Sequence, residues 1–136
     1  MNERTSYIKK ALLTSAIAGG IIGGVINESS ESALKVGAEW FIGFSLMHET
    51  TAELDKLSKA LIGRRKINSI YRAAWAIVDS TVGSAICGHV IGGAIGSPEI
   101  QMATIGLSAI VGFAHAGLGV MREYSFARRN PRITSI

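Results

Sequence analysis

The chain has one cysteine, Cys87, only two prolines, Pro98 and Pro131, and charge on just 18% of its 136 residues. A single cysteine excludes an internal disulfide and any metal site built from several thiolates. Cys87 lies in an apolar run and reads as a small packing residue. Soluble domains usually carry about 25% charged residues, so charge is too sparse here to cover a water-facing surface. Catalytic patterns are missing as well. His48-Glu49 lacks the second histidine four residues on that a zinc-binding helix needs, and no strand or Lys-Ser/Thr pair frames the glycines as a phosphate loop. No serine, threonine or cysteine has a partner base. The sequence therefore predicts no enzyme, no metal, no cofactor and no small-molecule substrate.

What is abundant is apolar residues, 48% of the chain, and glycine, 16 residues. Residues 15–26, SAIAGGIIGGVI, return 69 positions later as residues 84–95, SAICGHVIGGAI, with eight of twelve positions identical. The same offset pairs Gly37 with Gly106, Gly43 with Gly112 and Phe44 with Phe113. A register held this long reads as a duplicated helical hairpin. The expected fold is all-α: an integral membrane four-helix bundle made of two tandem Gly-rich hairpins. Residues 1–66 form the first, with an amphipathic cytoplasmic extension, and residues 67–136 the second, with a basic tail.

Residues 11–26 are uncharged and follow Lys9 and Lys10. They end in a polar acidic turn rather than a small-residue cleavage site, so they read as a retained anchor. Gly19/Gly23 and Gly20/Gly24 form interlaced GxxxG pairs there. Such glycines weaken a helix in water but permit close helix contact in lipid. The second helix, residues 33–47, carries Lys35 and Glu39 spaced to pair on one face. It is expected to continue as an amphipathic stalk in which Glu53 pairs with Lys56 and Asp55 with Lys59, ending at Gly63. A third helix is expected over residues 68–96, with Trp75 in the interfacial belt and Gly88, Gly92 and Gly96 in one stripe beside Gly93. Asp79 is placed to pair with Arg72 or Lys66. After the turn at Ser97-Pro98-Glu99, residues 100–121 form the cleanest span, including Gly106 and Gly112. Arg122 ends it, and the tail frays toward Pro131.

The net charge of +4 lies in blocks flanking the apolar runs, which argues against nucleic acid as a partner. Residues 1–10 sum to +2, the connector 49–72 to +3 and the tail 122–136 to +3, while the two short turns sum to −2 and −1. The positive-inside rule then places both termini and the connector in the cytoplasm. The partners expected are the lipid bilayer and further copies of the chain, joined through Gly/Ala faces.

Ionisable groups within spans mark candidate function. His89 and His115 both fall inside spans but differ in depth by about 10 Å, too far to share a metal, and read as neutral hydrogen-bonding residues. The face bearing Lys35, Glu39, Ser45 and His48 is the one intramembrane surface polar enough to line water. The expected site is thus Lys35, Glu39, His89 and His115.

The second half has a basic start (Arg64-Arg65-Lys66), a Gly-rich span, a short turn, a last span ATIGLSAIVGFAHAGLGVM and an arginine-bearing tail. Over residues 64–130 this resembles the small multi-span phage holins. The resemblance implies an inner-membrane protein that oligomerises and opens lesions. Two other layouts share the composition: the four-span mitochondrial inner-membrane translocases, and the duplicated proteolipids of rotary ATPases. A structural virion membrane protein fits it too.

Overall fold

The computed structural model describes Leu13, Thr14, Ile17, Ile21 and residues 30–130. Within them the chain forms three long helices: α1 (Ser30–Ile62), α2 (Lys66–Ile95) and α3 (Pro98–Arg129). This corrects the expected four-helix bundle of two tandem hairpins. Most of the expected first helix, with Gly19, Gly20, Gly23 and Gly24, lies outside the described residues.

The second helix continues through the expected stalk to the expected stop at Gly63: α1 runs unbroken for 33 residues, with no proline to interrupt it. What the expectation of two separate hairpins missed is how tightly the connector turns. Ser45 Oγ donates to Phe41 O at 2.7 Å and Thr50 Oγ1 to Leu46 O at 3.2 Å. The chain then reverses over Gly63–Arg65. Arg65 N–H bonds to Ala60 O and Arg64 N–H to Leu61 O, the paired bonds of a Schellman cap. Arg64, rather than Gly63, takes the left-handed conformation, with φ 55°. So tight a turn makes α1 the antiparallel partner of α2.

The second reversal is as short. Gly96 caps α2 at φ 91°, and Pro98 opens α3 after an extended Ser97, a position suited to proline's fixed φ. Arg122 does not end α3: the helix continues to Arg129, and Asn130 closes it with its N–H on Phe126 O at 3.2 Å.

α2 is the middle helix, packed along both neighbours. α1 and α3 run parallel and meet where Gly119 abuts Leu54. The glycines set the spacing. A Cβ on Gly43 would meet Cys87 Sγ at 2.8 Å, and one on Gly88 would lie 2.7 Å from Ser108 Cβ. A Cβ on Gly112 would overlap Ser80 O and Ser84 Oγ. Gly43 and Gly112, the equivalent positions of the repeat, both press on α2 at neighbouring residues, Gly83 and Ser84.

The interior is small and polar. Buried residues include Ala60, Ala76, Ala116, Thr50, Ser69, Ser80 and Ser84, and Leu57 is the one large apolar side chain fully buried among the described residues. The large apolar residues face outward: Leu107, Ile110, Val111, Phe113, Leu118 and Met121 are all more than half exposed. This inverts the pattern of a water-soluble bundle. Both α2 and α3 are long and apolar enough to cross a membrane, and only 33% and 11% of their most apolar stretches are buried.

Candidate functional site

A hairpin folded about Arg64 sets residues equally far from it face to face. Glu39 and His89 each lie 25 positions away, and His89 Nδ1 approaches Glu39 Oε2 at 3.3 Å. Gln101 of α3 adds a third element, donating from Nε2 to His89 O at 3.3 Å. Its hold on the carbonyl fixes the turn of α2 that carries the imidazole. The Glu39 side chain is 26% exposed and that of His89 44%, so the pair opens to the outside of the bundle.

Two of the four expected site residues are therefore brought together. Glu39 pairs across the helix interface with His89, not along its own helix with Lys35, which is exposed. His115 lies exposed on α3, apart from this pair. Asp79 is likewise left aside, because Arg72 turns to Glu53. Among the packing glycines, Gly88, Gly92 and Gly112 sit against facing backbone or side chains. Gly93 meets only the Gln101 amide, and an added Cβ at Gly96 or Gly106 would meet nothing within 4 Å.

A second polar cluster forms where α1 ends and α2 begins. Glu53 is buried, accepts from Lys56 Nζ at 2.6 Å, and receives Arg72 Nη1 on both oxygens at 3.1 and 3.0 Å. Burial pushes the Glu53 carboxyl up, but the hydrogen bonds and charges of Lys56 and Arg72 outweigh it and hold the group below its ordinary value. The Glu53–Lys56 half of this cluster is local and legible in sequence. Its Arg72 half follows only once the turn at residues 63–65 is known to be tight. Nearby, Tyr124 approaches Ser69 Oγ at 3.4 Å and ties the end of α3 to the start of α2.

The α1–α2 turn and the end of α3 thus share one end of the bundle. Lys56, Lys59, Arg64, Arg65, Lys66, Arg72, Arg122, Arg128 and Arg129 all gather there, and the Ser97–Glu99 turn occupies the other end. No group of three or more His, Cys, Asp or Glu side chains able to hold a metal occurs among the described residues. The chain matches no protein-family model, no curated protein and no solved structure.

Proposed function

We propose that the chain is a non-enzymatic integral membrane protein that self-assembles and opens an aqueous path or lesion in its membrane. The observation that carries this reading is the Glu39–His89 pair, half open to the outside beside an apolar span, with exposed Lys35 one turn along α1. A charged side chain at the centre of a bilayer costs about 2.5–3.5 kcal/mol or more. Lipid is a poor neighbour for this stripe, whereas a second copy or a column of water satisfies it. The inverted distribution of large and small residues supports the membrane setting. Glycine and alanine faces let copies approach closely. The one-ended gathering of basic residues supports an orientation with that end in the cytoplasm. Membrane opening by self-assembly is also what the holin resemblance of residues 64–130 implies.

The test is dye release from liposomes holding the full chain. The parent releases dye, and the Lys35→Leu/Glu39→Leu double variant, inserted to the same extent, does not. Equal release by both sinks the aqueous-path reading. In bacteria, induced expression halts growth abruptly with collapse of the membrane potential. Harmless accumulation favours a translocase or channel subunit, or a structural virion membrane protein.

A further inference from the structure

The basic end carries a built crevice. Lys56, Lys59, Arg65, Asn68 and Arg72 line a cleft of about 370 Å³ between the end of α1 and the start of α2. Glu53 and Asp55 offset part of this charge by pairing with Lys56 and Lys59, and Arg65 carries no ion pair among the described residues. Arg72 is only partly satisfied: Nη1 is held by Glu53, but its buried Nε has no hydrogen-bond partner.

The start of α2 points the same way. Its N-cap, Arg65, makes no side-chain cap, and the first turn holds no acidic residue. The N–H groups of Lys66, Ile67 and Asn68 are therefore left without an intrahelical partner, and the positive end of the helix dipole lies among arginines and lysines. Arg64, next to the crevice, occupies the left-handed region that a non-glycine residue rarely adopts. The four basic side chains of this corner exceed the two carboxylates, Glu53 and Asp55, that pair with them among the described residues.

The crevice also has an apolar exit. A second groove of about 650 Å³ shares Arg65 and Asn68 with the first and runs over Ile67 and Tyr71. Below it lie exposed Ile70 and Trp75, with Tyr71 and Trp75 edge to face at 6.1 Å and the Arg72 guanidinium 5.4 Å from the Tyr71 ring centre. Cations followed along one helix by an aromatic pair and then aliphatic side chains trace the profile of a lipid, from phosphate through interface to acyl chain.

From this arrangement, which rests on the membrane reading above, we infer that the crevice at the α1–α2 turn binds the phosphate of an anionic glycerophospholipid, its acyl chain lying along Ile67, Tyr71 and Trp75. Arg65 and Lys59 are the outer contacts, and Arg72 with the α2 N-terminus forms the floor.

The test uses the full chain in a neutral detergent, titrated with phosphatidylglycerol, with phosphatidylcholine of the same chains, or with inorganic phosphate. Lipid retention is read by native mass spectrometry. The parent retains phosphatidylglycerol and not phosphatidylcholine. The Lys59→Gln/Arg65→Gln variant, with helicity checked by circular dichroism, binds it about thirty-fold more weakly, at about 1 kcal/mol per basic residue. The Arg128→Gln/Arg129→Gln variant, altered at the same end of the bundle but outside the crevice lining, binds like the parent. Equal retention of the two lipids overturns the proposal. So does an equal loss in the two variants, because diffuse charge then suffices, and so does competition by inorganic phosphate at matched concentration, because the ligand is then a free anion. Failure of the membrane reading registers separately, as a chain that remains in aqueous buffer without detergent.

Discussion

Replacing Gly112 by alanine tests the helix spacing directly. The new methyl group would overlap Ser80 O and Ser84 Oγ, and it would lie 2.7 Å from Ser84 Cβ. Non-bonded carbons rest about 3.5–4.0 Å apart, so α2 and α3 must separate by on the order of 1 Å at this level. Overpacking of this kind costs about 1–3 kcal/mol. The separation also stretches the 2.8 Å hydrogen bond from Ser80 Oγ to Gly112 O, an interhelical bond contributing about 0.6–1.7 kcal/mol. Alanine's better helix propensity returns up to about 1 kcal/mol. The net expectation is a destabilisation on the order of 1–3 kcal/mol. Gly106→Ala is the control on the same helix, because nothing lies within 4 Å of its added methyl; it is expected within about 0.5 kcal/mol of the parent or slightly above it. Equilibrium unfolding of the full chain in mixed micelles, followed by circular dichroism, gives both values. A Gly112→Ala variant as stable as the parent, or a Gly106→Ala variant as damaged as Gly112→Ala, would refute the packing described here.

The two turns give a mirrored pair: Arg64→Gly relieves a left-handed arginine and stabilises, while Gly96→Ala forces alanine to φ 91° and destabilises, each by about 1 kcal/mol in the same unfolding assay. Glu53 gives a pH dependence. Its carboxyl is held below its ordinary value, so its contribution is complete above about pH 4.3 and is lost as pH falls through the depressed value. Thermal unfolding in detergent between about pH 5 and pH 3 therefore falls less steeply in Glu53→Gln than in the parent, and identical slopes contradict the assignment.

The bounds of α2 and the start of α3 were legible in the sequence. Gly-rich apolar patterning sets α2 at 66–95 against an expected 68–96, and Ser97-Pro98 marks the reversal because both residues favour it. What escaped was the neighbour relation. A repeat announces that two segments are alike, but not which helix each will lie against. α1 shares its glycine spacing with α3, yet the turn at Arg64 lays it against α2. The Glu39–His89 pair was hidden for the same reason: the residues are 50 apart, and only the length of the intervening turn sets them level. The end of α3 differs because Arg122 marks the end of the uncharged run and not the end of the helix, which continues to Arg129.

α1 has a mechanical consequence. Tilted as a rod about the close approach of Gly43 to Gly83, this unbroken helix moves its two ends together in opposite directions. The arm to Lys56 is about 20 Å and the arm to Glu39 about 6 Å at 1.5 Å per residue. A tilt of about 5° therefore swings the Lys56 end by roughly 1.7 Å and shifts Glu39 the opposite way by roughly 0.5 Å. That smaller stroke is enough to make or break a contact of 3.3 Å with His89. Anything that grips the basic end of this helix thereby holds a handle on the Glu39–His89 pair.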